Sequence, residues 1–165
     1  MSKRIVWELP DGTIRVTLPA RAGLPLDEVA ARTRQAVPEL HAARRLADRE
    51  PGELPERRWR ACWRHDGQGG VRVELALARA QRLRELRAER DRRLAASDGA
   101  MLREQESGTP ARVELLRAYR QALRDLPAVL EQSGALERLE DAAALAAFTP
   151  QWPADPAAAE PAGAD

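Results

Sequence analysis

The chain has 165 residues, enough for one domain of ordinary size or for a small domain with a helical extension. Its 27 basic residues balance 26 acidic ones, so the net charge of +1 argues against a general nucleic-acid binder, whose phosphate contacts need a basic surplus. The single cysteine, Cys62, excludes an intrachain disulfide framework, and no apolar run reaches membrane-spanning length.

The first part of the chain predicts a β-hairpin followed by a helix. Apolar residues alternate on both sides of Pro10-Asp11-Gly12 within residues 3–18, and this tripeptide combines the residue types that favour a tight turn. A short amphipathic helix is expected over about 26–37, and Pro38 ends it.

The next segment predicts a loop and further strands. A third strand is expected within residues 40–46. Trp59 and Trp63 lie four residues apart, so they share a face if this stretch is helical. Residues 65–70 form a glycine-rich turn, and residues 71–75 alternate as in a returning strand. Residues 1–75 are therefore expected to form a small α+β domain.

From residue 76 the apolar period becomes helical, and two amphipathic helices are expected with a break at Ser107-Gly108-Thr109-Pro110. Thr109 suits the N-cap of the second helix and Pro110 suits its first position, while Pro127 is expected to end that helix. A short turn between two such helices predicts an antiparallel helical hairpin over 76–132. The first apolar stripe comprises Ala76, Ala80, Leu83, Leu86 and Leu94, and the second comprises Leu115, Leu116, Tyr119, Leu123 and Leu126.

The C-terminal part is expected to hold a short alanine-rich helix at about 135–147. That helix and a Trp-Pro pair at Trp152 make up a third region, 133–153. Residues 154–165 are rich in Pro, Ala and Asp and are predicted to be disordered. The whole chain is thus predicted to be α+β, with the strands first and the helices after them.

No residue pattern favours catalysis or metal binding. His65-Asp66 lies near Cys62, but the group falls in one turn and has no second histidine or cysteine beside it. The glycines of this turn lack the Gly-Lys-Ser/Thr sequence of a phosphate loop. Arg87–Arg93 is interleaved with acidic residues, which favours a solvated helix face over a nucleic-acid contact. No enzyme, cofactor or metal is expected.

Several motifs of the second half resemble those of phage tail assembly chaperones and tail fibre assembly proteins. The similar segments are Leu86–Leu94 with Ser97-Asp98, then the run Tyr119–Pro127, then Trp152-Pro153. The hairpin and the Trp63–Gly67 segment are similar to a related group of small phage proteins.

This resemblance implies a non-enzymatic protein that holds a tail or tail fibre protein during assembly. It implies action in the host bacterial cytoplasm, or a place in the virion tail for a subunit that is retained. Neither nucleic acid nor a membrane is an expected partner, whereas a homo-oligomer is possible. The candidate partner-binding residues are Tyr119, Arg120, Leu123, Arg124, Asp125 and Trp152.

Two alternatives stay open at this point. The residues around Tyr119 form either a client-binding surface or an interface within the chain with a solvated charged rim, and Trp152 docks either on this chain or on a partner. Trp59 and Trp63 are expected in the core. A structural tail or fibre-attachment subunit and a regulatory or toxin-neutralising adaptor are the competing functions.

Overall fold

The structure, a computed structural model, describes residues 3–21 and 23–158. It divides into two compact units, with the boundary between Ala78 and Arg79. Antiparallel strands come first and helices follow, so the predicted α+β class is confirmed. The domain limits expected at residues 75, 132 and 153 stay predictions.

The predicted hairpin is present in the first unit. Strands β1 (Ile5–Glu8) and β2 (Ile14–Thr17) pair antiparallel, and β3 (Arg44–Arg45) adds to the other edge of β1. The Asp11 carboxylate accepts a 2.8 Å hydrogen bond from the Thr13 amide, and Gly12 supplies a φ of +79°. These turn contacts fix the register of the hairpin, and the successive residues Ile5, Val6 and Trp7 are all buried, so both faces of β1 are covered.

Helix α1 (Leu26–Ala36) contributes to the core of this unit. Its C-terminus is followed by a 3₁₀ turn at Pro38–Leu40, as the proline predicts. The buried apolar side chains that make up this core cluster are Ile5, Trp7, Ala30, Leu40 and Ala43.

The next stretch differs in part from the sequence-based expectation. Residues Arg57–Cys62 form 3₁₀ turns with a kink at Trp59, whereas Trp63 belongs to strand β4 (Trp63–His65). The two tryptophans are buried, but they do not share one helical face. Strand β5 (Val71–Val73) pairs with β4 and stops before Leu75, which begins a helix instead of extending the strand.

Four helices follow: α2 (Leu75–Ala96), α3 (Asp98–Ser107), α4 (Pro110–Gln132) and α5 (Ala142–Ala147). The interruption at Ser97 was not predicted. Helix α4 continues through Pro127, although the sequence indicated that this proline ends the helix. A helical proline costs a hydrogen bond and is usually excluded, so packing of the α4 face outweighs that local cost.

The helix expected at about 135–147 is shorter in the structure. Residues 133–138 form turns, and only the six residues of α5 are helical, capped by Asp141 through a 2.6 Å hydrogen bond from the Ala144 amide. Gly134 has a φ of +62°, a left-handed conformation that stops a helix. Residues 154–158 are described and the rest of the predicted disordered tail lies outside the described residues.

Candidate partner-binding surface

Helices α2 and α3 face α4 through ion pairs whose order is antiparallel. Arg112 contacts Glu104 at 2.8 Å, Arg120 contacts Asp98 at 2.7 Å, and Arg87 contacts Glu131 at 2.5 Å. Moving forward along α4 therefore means moving backward through α3 and α2. This is the order expected of an antiparallel helical hairpin.

The turn between α3 and α4 uses the residues that the sequence indicated. The Thr109 hydroxyl caps α4 by accepting a hydrogen bond from the Arg112 amide, and Pro110 occupies the first turn. A Cβ atom at Gly108 would lie only 2.7 Å from the Cα and the carbonyl oxygen of Glu104. Glycine is required here because the chain leaves α3 too closely for a side chain.

One face of α4 is buried against its own chain. Leu116, Tyr119, Leu123 and Leu130 are between 0% and 7% exposed. Of the predicted stripe, Leu115 was assigned wrongly: its side chain is 59% exposed and lies one residue away from the buried row. On α2, Ala76 and Ala80 are also exposed, whereas Leu86 is buried as expected.

Arg120 forms hydrogen bonds to both sides of the interruption between α2 and α3. Its Nη1 atom donates to the Leu94 carbonyl at 3.1 Å, to the Ser97 hydroxyl at 2.6 Å and to the Asp98 carboxylate at 2.7 Å. The Leu94 carbonyl belongs to the last turn of α2, where a cation is favoured by the helix dipole. Arg120 thus has a structural role within the chain, and any partner contact through it stays a prediction.

Residues 133–158, here called the C-terminal segment, are anchored by arginines of α2. Arg79 donates to the backbone carbonyls of Leu136, Glu137 and Leu139 at 2.8–3.1 Å, and Arg82 donates to that of Phe148. These arginines interrupt the apolar stripe in the sequence. Because of these hydrogen bonds, both arginines point inward, toward backbone oxygens of the C-terminal segment, and not out into solvent.

Trp152 docks on this chain. Its ring centroid lies 4.5 Å from the guanidinium carbon of Arg93, a cation–π geometry, and Glu89 binds the same guanidinium at 2.8 Å. Its side chain is half-buried. Of the two alternatives for Trp152, the structure therefore supports docking on this chain. Partner binding through Trp152 stays a prediction.

Tyr119 lies beside this arginine. Burial raises the pKa of the Tyr119 phenol, and the nearby Asp155 carboxylate raises it further, while Arg93 opposes both effects. Asp155 comes from the C-terminal segment, so the segment covers the part of α4 that carries Tyr119. For Tyr119 and Leu123, the intramolecular alternative agrees with their burial.

The side of α4 next to the buried face carries a mostly exposed apolar row that the sequence analysis did not separate from the buried one. Its members recur every three or four residues and so lie along one side of the helix. Leu115 and Val129 are 59% and 55% exposed. This row, here called the outer stripe, comprises the exposed Leu115, Ala118, Ala122 and Val129 and the half-buried Leu126. The sequence did carry a signal for this row, because its apolar residues recur at helical spacing and are shifted around the helix from the buried row.

A groove of about 470 Å³ borders the outer stripe at Ala118 and reaches Met101 of α3. Its charged lining is mainly basic: Arg117, Arg120 and Arg124 against Glu114. Arg124 and Asp125 are exposed, and Asp125 accepts a 2.9 Å hydrogen bond from the Gln121 side chain. Of the six candidate residues, these two are the most accessible to a partner.

The His65-Asp66 turn serves a local structural purpose. The Asp66 carboxylate accepts hydrogen bonds from the Gln68 and Gly70 amides at 2.7 and 2.8 Å, and these bonds lower its pKa below the ordinary value. The Gly69 amide donates to the His65 ring at 3.0 Å. Within residues 3–21 and 23–158, no group of three His, Cys, Asp or Glu side chains is placed to hold a metal ion.

None of the helices in the described part of the chain has both the length and the apolar character needed to cross a bilayer.

The region that carries these features also matches a known family. Residues 83–157 match the family of phage tail assembly chaperone proteins. The match begins within α2 and ends in the C-terminal segment, and it confirms the resemblance seen in the sequence. Neither the curated proteins nor the solved structures gave a match.

The chaperone match covers α3, α4 and α5 as well as most of α2. Over these residues the chain is similar to phage tail assembly chaperone proteins. The first unit lies outside the matched residues. The surfaces described on α4, by contrast, all lie within the chaperone segment.

Proposed function

We propose that this protein is a non-enzymatic chaperone that binds a phage tail or tail fibre protein on its C-terminal helices until that protein assembles. The family match over residues 83–157 is the observation that carries this proposal. The client and the binding surface are inferences from the geometry of α4.

The outer stripe is the surface proposed to contact the client. Leu115 and Val129 are more than half exposed, and an apolar row along a helix suits a second helix or a groove in a partner. The neighbouring basic groove adds charged contacts at its side. Arg124 and Asp125 are proposed as direct contacts, since both are exposed next to this surface.

The other candidate residues are proposed to act by shaping that surface. Tyr119 and Leu123 anchor the inner face of α4, and Arg120 fixes the junction of α2 and α3. Trp152 holds the C-terminal segment against Arg93. A client that displaces this segment would gain Tyr119 and Trp152 as contacts.

Co-expression with the gene of a phage tail fibre protein tests the proposal. We expect the fibre protein to become soluble and to copurify with the chain, and Leu115→Arg with Val129→Arg to abolish both effects. Leu24→Arg is the matched control, because Leu24 is 39% exposed in the other unit. Unchanged fibre solubility with the native chain would refute the chaperone proposal for that client.

Mass spectrometry of purified particles separates the alternative function. A chaperone is expected to be absent from finished particles. A structural tail or fibre-attachment subunit would be present at a fixed ratio to the fibre. A stoichiometric amount in particles would therefore replace the chaperone assignment with the structural one.

A further inference from the structure

A pocket in the first unit has no assigned role. Its volume is about 370 Å³, within the range of about 300–1,000 Å³ typical of ligand sites. Three arginines line it, Arg4, Arg57 and Arg60, together with a single carboxylate, Glu56. The charged lining of this pocket is therefore predominantly cationic.

These three guanidinium groups form no ion pair with any described residue, whereas several other arginines of the same unit do. Arg44 binds Glu8 at 2.5 Å, and Arg45 binds both Asp27 at 2.6 Å and Asp48 at 2.7 Å. Two further arginines of this unit, Arg34 and Arg64, donate to the backbone carbonyls of Ala43 and Trp63. At the pocket, the positive charge of Arg4, Arg57 and Arg60 is left for an external anion.

Apolar groups from three parts of the chain form the rest of the lining. Val16 comes from β2, Leu54 from the loop before the 3₁₀ turns, and Trp63 from β4. Trp63 is only 3% exposed and offers little surface, whereas Leu18, which also lines the pocket, is 60% exposed. Such a lining gains from burying a ligand's apolar side chain, which a free phosphate or another inorganic anion does not have.

We propose that this pocket binds an extended acidic peptide segment of a partner protein, with an apolar side chain against Leu18 and carboxylates against the arginines. Arginine pairs with carboxylates in a bidentate geometry and is among the residue types enriched in binding hot spots. This inference goes beyond the proposed function, because the site lies in the unit outside the chaperone match.

Peptide binding to the full-length chain tests the inference. Three dye-labelled twelve-residue peptides are compared by fluorescence anisotropy: one with leucines and aspartates, one with the aspartates changed to asparagine, and one with the leucines changed to serine. We expect only the first to bind well, with each altered peptide about tenfold weaker or more, since tenfold corresponds to roughly 1.4 kcal/mol.

Matched variants assign the binding to the pocket. Arg57→Gln is expected to weaken the first peptide about tenfold, as loss of a charge-assisted hydrogen bond does. Arg21→Gln, an exposed change of the same charge outside the pocket lining, should leave it unchanged. Circular dichroism checks that both variants are folded.

Three results would overturn the inference: no binding of the first peptide, equal binding of the serine peptide, or equal loss in Arg21→Gln. Equal binding of the serine peptide would mean that the pocket attracts anions in general. The fibre co-expression assay with Leu115→Arg and Val129→Arg examines the other unit. A failure of the chaperone proposal in that assay is therefore distinguishable from a failure of the peptide-binding inference.

Discussion

Leu115 and Leu123 lie two turns apart on α4 in opposite environments, one 59% exposed and the other 0% exposed. Leu123→Ala is expected to lower the free energy of unfolding by about 2–5 kcal/mol, because the truncation leaves a cavity in a packed interface. Leu115→Ala should change it by no more than about 0.5 kcal/mol. Urea denaturation followed by circular dichroism measures both, and equal losses would contradict the assignment of the two faces.

Tyr119 gives a pH signal of its own because it is the only tyrosine in the chain. Burial raises its pKa in the folded state, whereas the unfolded chain titrates near the ordinary value of about 10. As the pH rises, the Tyr119 phenol therefore loses its proton in the unfolded state before it does so in the folded state. The contribution of Tyr119 to folding stability is full below about pH 10 and declines as the pH rises through the folded-state pKa.

Absorbance at 295 nm during an alkaline titration measures this difference. We expect the phenolate to appear at higher pH in the native protein than in the protein in concentrated urea. Asp155→Asn should lower the native value, because it removes a neighbouring negative charge. Coincident native and denatured titration curves would show that Tyr119 is solvated.

Side-chain environments were predictable only where the helical period was unambiguous. Leu116, Tyr119 and Leu123 are spaced by three and four residues, and the structure buries them together. Leu115 precedes Leu116 directly, so hydrophobicity alone did not assign it to the other flank. The inward arginines were missed for a different reason: their partners are backbone carbonyls some sixty residues away, and these leave no mark on the local pattern.

At the level of elements, the C-terminal segment depends on Arg79. Arg79→Gln is expected to lower the free energy of unfolding by roughly 1–3 kcal/mol, because three carbonyls lose a charged donor. Arg79→Lys should not restore the loss, since an ammonium group lacks the planar fork that reaches separate acceptors. Arg84→Gln, an exposed change on the same helix, provides the control.

Thermal unfolding and hydrogen exchange measure this effect. The amides of α5 are expected to exchange faster in Arg79→Gln than in the native chain, while those of β1 keep their rates. An unchanged exchange rate in α5 would show that this arginine does not anchor the segment.

The start of α4 allows a second test at the same scale. Thr109→Ala is expected to cost about 0.5–2 kcal/mol, because the Arg112 amide loses its acceptor. Thr109→Ser keeps a hydroxyl and should retain most of the stability. Chemical denaturation compares the two, and equal stability of the alanine variant would remove the capping role.

Helix starts were easier to predict than helix ends. Thr109-Pro110 is a strong local signal, and the structure uses it as such. Pro127 is an equally strong signal for an end, yet α4 passes through it, since burial of Leu130 on the far side favours continuation. The interruption at Ser97 is followed directly by Asp98-Gly99, residue types common in turns, but the sequence analysis did not predict a break there. Arg120 from another helix stabilises the interruption, and the local sequence does not show that contact.

For the whole molecule, the chaperone match and the outer stripe belong to the same unit, whereas the arginine-lined pocket belongs to the other. A client that binds only the folded chain raises its stability by mass action. At a client concentration of about 100 times Kd, the gain should be roughly 2.7 kcal/mol.

Differential scanning fluorimetry with purified fibre protein measures this gain. The native chain should melt at a higher temperature with the client than without it, and Leu115→Arg with Val129→Arg should lose that shift. The Leu24→Arg control should keep the shift. If no tail protein tested raised the melting temperature of the native chain, that result would argue against client binding by this unit.

The carbonyls held by Arg79 have a further consequence for how this chain tolerates change. A peptide oxygen is the same whichever amino acid carries it, so the anchor imposes little selection on the identity of Glu137 or Leu139. A randomised library at these two codons should yield mostly stable variants, while the same library at codon 79 should yield few. Homologues can therefore drift apart in this stretch and still fold it against the same helix.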